Sequence, residues 1–262
     1  MNFYNENDPY AAQWLRNLIK AGVLPKGVVD ERSIEDIPSR DLIGYTQCHF
    51  FAGIGGWPLA LAIAGVSPDE PLWTGSCPCQ PFSKAGKGAG LDDERNLWPA
   101  WQWHIQQLRP ARIYGEQVAD LSAEPWIDLV SSDLEGLGYA FGALAFPSAS
   151  VGAPHIRDRT YWLGDADPTR LEGYRRGLEA ARQRNAAVRP ITETGKFSDP
   201  QPTNGFWRAA DWLACRDNRW RPVEPGTFPL ATGLSGRVGR LRAYGNAINV
   251  YQAAEFIKAV MA

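Results

Sequence analysis

The sequence predicts an α/β fold, a parallel sheet with covering helices and a small separate lobe. Three observations carry this. Short apolar runs alternate with helical patterns through residues 1–150. A glycine-rich turn, Phe51-Ala52-Gly53-Ile54-Gly55-Gly56, links one of those runs to a helical pattern. Between Gly164 and Gly226 the periodicity gives way to Arg, Pro, Gly and Asn.

Each element follows from its pattern. Residues 10–20 place Trp14, Leu15, Leu18 and Ile19 on one helical face. Residues 27–29 read as a short strand and 44–51 as a stronger one. The latter breaks at the glycines into a helix opening at Trp57-Pro58, where proline's missing N–H costs nothing. Further strands are expected at 71–74, 112–114, 139–145 and 160–163, and helices at 98–108 and 125–134. Residues 237–260 return as helix. The implied division is a catalytic and cofactor-binding domain over 1–163, a small domain over 164–226, and a segment over 227–262 that rejoins the first.

Composition bounds the class. A hydrophobic fraction of 44% with 21% charged residues can bury a sizeable core. There is no 18-residue apolar run and no signal-type N-terminus, so neither a membrane span nor secretion is expected. The four cysteines, Cys48, Cys77, Cys79 and Cys215, lack disulfide-framework spacing and suit a reducing cytoplasm. The net charge of −2 averages unlike parts. Residues 1–150 hold 10 basic against 18 acidic side chains, a net of −8, whereas 151–262 hold 17 against 11, a net of +6. Arg170, Arg175, Arg176, Arg182, Arg184 and Arg189 cluster there, followed by Trp207, Trp212 and Trp220 among Arg208, Arg216, Arg219 and Arg221. Such a mix suits phosphate contact and base stacking, although a solvated helix or a small tryptophan core has the same composition.

Four motifs carry chemistry. The glycine turn lets backbone approach a ligand and fits a dinucleotide, S-adenosylmethionine or plain tight packing. Gly75-Ser76-Cys77-Pro78-Cys79-Gln80-Pro81-Phe82-Ser83 follows a strand, which puts Cys79 at the carboxyl end of the sheet. The basic, glycine-rich residues 84–90, with Lys84 and Lys87, come next, and positive surroundings favour the reactive thiolate. A metal site from Cys48, His49, Cys77 and Cys79 is the rival, but its spacing is wrong for a structural zinc motif, and no metal is expected. Glu116, in Gly115-Glu116-Gln117-Val118, sits at a strand end, and Pro154-His155-Ile156-Arg157-Asp158-Arg159 leads into another strand.

In this order, and followed by Gly245-Asn246-Ala247-Ile248, these motifs resemble the DNA cytosine-5 methyltransferase family from Phe51 to the C-terminus. The resemblance implies a Rossmann-like sheet dependent on S-adenosylmethionine, double-stranded DNA as partner, and a target-recognition lobe at 164–226. It implies that Cys79 attacks carbon 6 of a flipped-out cytosine, that Glu116 engages ring nitrogen 3, that Arg159 holds the carbonyl oxygen and that Arg157 supports the catalytic loop. The Cys77 carbonyl would read the exocyclic amine. Phe51, Ala52, Gly53, Ile54, Gly55, Gly56, Pro78, Leu97, Asn246, Ala247 and Ile248 would line the cofactor site, and Gln80, Ser83, Lys84 and Lys87 would touch DNA. Only 22 residues separate Gly56 from Cys79, too few for the two further cofactor strands of the family. Those strands are matched upstream, where Glu6 and Asn7 would serve the ribose and Asp30 the adenine amine, so the chain order is expected to be circularly permuted.

Three positions depart from the family pattern. Gln117 replaces asparagine, His155 replaces glutamine, and Val250-Tyr251 stands where Pro-Gln usually follows the asparagine. The longer Gln117 opens the idea of a modified sulfonium donor. A catalytically silent DNA- or cofactor-binding homologue is a further alternative, as is an RNA substrate, although the Cys-Phe-Thr signature of the related transfer-RNA enzyme is absent. The chain is expected to act as a cytoplasmic monomer.

Overall fold

The computed structural model describes residues 1–78, 96–120, 123–153, 157–167, 211–214, 220–223 and 246–261. Its strands are β1 (Asn2–Asn5), β2 (Gly27–Asp30), β3 (Gln47–Phe50), β4 (Leu72–Gly75), β5 (Arg112–Val118), β6 (Ala140–Pro147), β7 (Asp158–Asp165), β8 (Asp211–Ala214) and β9 (Trp220–Val223). The helices are α1 (Pro9–Lys20), α2 (Gly56–Ala64), α3 (Trp98–Leu108), α4 (Glu124–Gly136) and α5 (Val250–Met261).

Seven strands make one sheet in the order β2-β1-β3-β4-β5-β7-β6, and β8 and β9 pair antiparallel as a separate ribbon. Strands β1 to β5 pair in parallel, which aligns their carboxyl ends along one edge of the sheet. The wholly parallel expectation fails at β7, which is antiparallel to both β5 and β6. The link from Pro147 to Asp158 is too short for the crossover that parallel pairing needs. In a dinucleotide-binding sheet the glycine-turn strand comes first and the next two strands lie beside it on one side. Here that strand is β3, and the positions beside it belong to β1 and β2, which precede it in the chain.

The predicted elements are found with shifted ends. Strand β5 runs on to Val118, so Glu116 lies within it rather than at its end. Likewise β7 continues through Gly164 to Asp165, past the expected domain boundary, because both residues pair with β5 and β6. The final helix begins at Val250 instead of 237; residues 237–245 lie outside the described residues. In α1 the fully buried positions are Ala11, Ala12 and Leu15, with Trp14, Leu18 and Ile19 only partly covered. Asp8 caps this helix, its Oδ1 accepting from the N–H groups of Tyr10 (2.9 Å) and Ala11 (3.3 Å).

Alternate residues of each strand feed two cores, one on each face of the sheet. Ile113 and Trp162 join Trp98, Trp101 and Trp126 under α3 and α4. Tyr114 and Tyr161 join Trp57, Phe256 and Ile257 under α2 and α5. Among the described residues no helix is long and apolar enough to cross a membrane.

Between β1, β3 and β4 lies a buried polar chain. The Asn2 side-chain amide donates to Gln47 Oε1 (3.1 Å) and to His49 Nε2 (3.4 Å), so His49 Nδ1 carries the proton and donates to Thr74 Oγ1 (2.8 Å). Burial pushes the imidazole down to about 3 from its ordinary 6.5. A depressed imidazole stabilises the fold above its unfolded value and loses that contribution as acid protonates the unfolded chain first. The folding free energy is therefore expected to fall between pH 6.5 and about 3 with a His49 contribution of about 1.4 kcal/mol per pH unit. Urea midpoints of the wild type and of His49→Gln across that range check this, since the variant must lose the extra slope.

Candidate active site

The site is built where the carboxyl ends of β1 to β5 meet. At its cofactor end, Phe51 (φ 50°), Gly53 (φ 55°) and Gly55 (φ 86°) all adopt left-handed backbone, which turns the chain from β3 into α2. A Cβ at Gly53 would meet no atom within 4 Å, so the turn faces open space. Gly56 shows the opposite constraint: its Cβ would lie 2.6 Å from Ile248, which packs against the start of α2. The turn thus brings Ile248 of the expected cofactor set against Gly56, about two hundred residues away in the chain.

Glu6 is joined to the turn directly. Its Oε2 accepts from the Gly53 N–H at 2.7 Å and its Oε1 from the Asp8 N–H at 2.9 Å, which fixes the carboxylate at the end of β1. Asn7 is exposed beside it. Asn5, which no motif signalled, bonds the Arg32 carbonyl at 2.9 Å and holds the ends of β1 and β2 together. Asp30 ends β2, but both of its carboxylate oxygens face Arg32, at 2.6 to 3.1 Å. The guanidinium holds the Asp30 carboxyl below the usual carboxylate range. Leu97 immediately precedes α3 and packs on the tryptophan core.

At the other end, Glu116 of β5 faces Arg159 of β7 across the antiparallel pair, with Arg159 Nε 2.8 Å from Glu116 Oε1. The carboxylate is almost wholly buried, and burial pushes its pKa above the ordinary range against the pull of Arg159, the Ser76 hydroxyl and Arg157. Arg157 reaches away to donate from Nη2 to the Ala247 carbonyl at 3.0 Å. The expected arginine pair therefore divides: Arg159 meets the acid, and Arg157 ties the start of β7 to the segment before α5.

Gly115, beside Glu116, has to be glycine because a Cβ there would sit 1.9 Å from the Trp162 indole. The Gln117 amide is spent on backbone: its Nε2 donates to the Cys77 carbonyl at 3.3 Å and its Oε1 accepts from the Val118 N–H at 3.0 Å. The carbonyl expected to read a cytosine amine is thus held by β5. Pro78 is partly buried at the end of this segment. Cys79, Gln80, Ser83, Lys84, Lys87 and His155 lie outside the described residues. Cys48 and His49 are neighbours in β3 and point to opposite faces, Cys48 into the tryptophan core and His49 into the polar chain, so one metal cannot take both. A separate cleft of about 330 Å³ lies at the opposite end of β4 and β5, where Arg112 pairs with Glu70 (2.8 Å) and Asp165 (3.1 Å).

Ser148 and Gln252 went unnoticed in the sequence. Gln252 is fully buried; its Nε2 donates to the Phe146 carbonyl, and its Oε1 accepts from the Ser148 hydroxyl at 2.8 Å. The Ser148 N–H donates to the Arg157 carbonyl at 3.2 Å. One signal was available: Gln252 is polar on the face of α5 that buries Phe256 and Val260.

A family model for C-5 cytosine-specific DNA methylase matches residues 66–204. Type II methyltransferase M.HhaI of Haemophilus parahaemolyticus is 23% identical over 167 residues, covering 49% of this chain and 51% of that protein. Type II methyltransferase M1.ScrFI of Lactococcus lactis subsp. cremoris is 33% identical over 101 residues, covering 37% of this chain and 26% of that protein. The chain thus spans about half of one relative and a quarter of the other. A crystal structure of a Spodoptera frugiperda DNMT2 mutant aligns over 63% of this chain and 49% of that one at 15% identity, with a TM-score of 0.40.

Replacing Gln252 with Leu leaves the Phe146 carbonyl without this buried donor, while the Ser148 hydroxyl keeps only the Arg157 carbonyl at 3.1 Å. The expected cost is about 2 kcal/mol, read from urea unfolding.

Proposed function

The chain belongs to the C-5 cytosine-specific DNA methylase family, and on that premise we propose that it transfers a methyl group from S-adenosylmethionine to carbon 5 of a cytosine in double-stranded DNA. The observation that carries this reading is the Glu116–Arg159 pair, 2.8 Å apart and buried beside the Ser76-Cys77-Pro78 segment that leads into Cys79. A carboxyl and a guanidinium held side by side match one edge of cytosine, whose ring nitrogen 3 and carbonyl oxygen are adjacent.

Carbon 5 of cytosine is too weak a nucleophile to be alkylated unaided. In the proposed route the Cys79 thiolate adds to carbon 6, which pushes electron density to carbon 5 while Glu116 holds nitrogen 3 and Arg159 the carbonyl oxygen. After transfer, loss of the carbon-5 proton to a water-borne base expels the thiolate and restores the ring. The base must first leave the duplex, at a cost of a few kcal/mol.

S-adenosylmethionine supplies a methyl group activated on a sulfonium. The residues fit it: the open backbone at Gly53 admits a ligand, and the Glu6 carboxylate fixed beside that turn can accept from the ribose hydroxyls. Asp30 reaches the adenine amine only if it shares its carboxylate with Arg32. Phe51, Ala52, Ile54, Gly55, Gly56, Asn7, Pro78, Leu97, Asn246, Ala247 and Ile248 complete the proposed pocket. The cofactor half is then circularly permuted, which the placement of β1 and β2 beside β3 supports. The donor proposed is the unmodified sulfonium, because Gln117 turns its amide onto backbone.

Of the expected 164–226 span, Gly164 and Asp165 stay in β7 of the sheet, and residues 166–226 form the proposed recognition lobe, their basic excess facing phosphate, with Gln80, Ser83, Lys84 and Lys87 on the DNA. Action on DNA as a monomer in the reducing cytoplasm completes the reading.

A duplex containing 5-fluorocytosine tests it, because fluorine cannot leave carbon 5 as a proton does. The wild type with S-adenosylmethionine should form a covalent adduct stable to denaturing gels, and Cys79→Ala should form none. With ordinary DNA, nucleoside mass spectrometry should find 5-methylcytosine, and Glu116→Gln should lower its rate of formation by about 100-fold or more. An absent adduct overturns the proposal in favour of a silent binding homologue.

A further inference from the structure

We propose that Gln252 is a positioning residue for S-adenosylmethionine, closing a ring of hydrogen bonds that fixes residues 246–248 of the cofactor pocket to the strand carrying Arg159. The inference deepens the reading above, since it rests on those residues lining the pocket. A carbonyl only accepts, so Gln252 presents its Nε2 to the Phe146 carbonyl and its Oε1 to the Ser148 hydroxyl, which donates at 2.8 Å. Ser148 Oγ also lies 3.1 Å from the Arg157 carbonyl, but the Ser148 N–H donates there at 3.2 Å, so that carbonyl keeps a donor when the hydroxyl proton goes to Gln252. Arg157 Nη2 then donates to the Ala247 carbonyl at 3.0 Å. Two residues on, Asn249 caps α5, its Oδ1 accepting from the N–H groups of Tyr251 (3.1 Å) and Gln252 (3.3 Å). The ring thus returns to the residue where it began.

The members of the ring are well placed to hold one geometry. Ser148 and Gln252 are wholly buried, and the Tyr161 hydroxyl lies 3.4 Å from the Asn249 carbonyl and 3.5 Å from Gln252 Oε1. An apolar side chain of similar size would fill the same space beside Phe256 and Val260. An amide with both ends bonded adds direction, because a satisfied buried polar network admits one arrangement where apolar packing admits several.

The ring has an output at each end of the site. On the cofactor side it holds the Ala247 carbonyl, next to the Ile248 side chain that packs on Gly56 of the glycine turn. On the base side, Phe146 is the residue directly opposite Arg159 in the β6–β7 pairing, and Arg157 stands two residues before Arg159. Gln252 bonds Phe146 directly and reaches Arg157 through Ser148. A cofactor seated against 246–248 and a base held by Arg159 therefore share one support.

Calorimetric titration of the protein with S-adenosylhomocysteine, the demethylated product, tests the ring without DNA or turnover. Gln252→Met keeps the length of the side chain but removes both bonds, and should raise the Kd by about tenfold, the worth of one or two buried hydrogen bonds. Ser148→Ala, which leaves the Gln252 bond to Phe146 in place, should raise it by less. The double variant should bind no more weakly than Gln252→Met alone, because both changes open the same ring. Val260→Ala, about two turns further along α5, lowers stability without touching the ring and should keep the Kd within about twofold of the wild type. Hydrogen exchange over residues 246–252 of the unliganded protein should be about tenfold faster in Gln252→Met and unchanged in Val260→Ala. The proposal is overturned if Gln252→Met binds and exchanges as the wild type does, or if Val260→Ala weakens binding as much at an equal loss of urea midpoint. A wild type that binds neither S-adenosylmethionine nor S-adenosylhomocysteine defeats the reading of function, while the exchange rates still decide whether Gln252 holds the segment.

Discussion

The site depends on one constraint: a carboxylate buried as deeply as Glu116 must be matched by charge and hydrogen bonds or give up its ionisation. Desolvation of such a group costs several kcal/mol, and a partner at 2.8 Å in a poorly solvated place returns much of it. That partner is Arg159, delivered by the antiparallel β5–β7 pairing. Had β7 run parallel to β5, the register that sets Val118 opposite Arg159 and Glu116 opposite Tyr161 would not exist. The departure from an all-parallel sheet is therefore what assembles the acid and its cation.

Around this pair the packing leaves little freedom. On one face of the sheet Trp98 meets Trp101, Trp126 and Trp162 edge to face, and Trp101 and Trp162 are tilted against each other, with neighbouring centroids about 6 Å apart. Trp101 presses on Gly75 and Trp162 on Gly115, each closer than a Cβ would allow. The residues that follow these two glycines are Ser76 and Glu116. Large rigid rings against bare backbone thus locate two polar side chains that cannot be located by their own flexible bonds. On the opposite face Trp57 lies against Tyr114 and Tyr161, with centroids 6.3 and 6.0 Å away.

Chain order and spatial order are decoupled in this fold. Strand β1 and the helix after it precede the glycine turn, yet the Glu6 carboxylate lies on the Gly53 N–H. At the far end of the chain, Ala247 accepts from Arg157 and Ile248 packs on Gly56. Gln252 then bonds the end of β6 through Phe146 and, through Ser148, the backbone of Arg157. A sheet edge needs only that strand ends converge, and the order in which the chain visits them is free so long as the connections can span the distance.

Residue types and local spacing were enough to reveal the α/β class, the glycine turn, most elements to within a few residues, and the ordered motifs around Cys79, Glu116 and Arg159. These are properties of near neighbours: an apolar period, a glycine needing left-handed backbone, a proline in a first helical turn. The tertiary structure alone decided which arginine meets Glu116, that Gln117 turns onto the Cys77 carbonyl, and that Ser148 and Gln252 take part at all. Each of those outcomes depends on strand direction and register, or on a distance between residues tens to hundreds of positions apart. A linear pattern records which side chains are available, and only the folded sheet sets which of them come within hydrogen-bond reach.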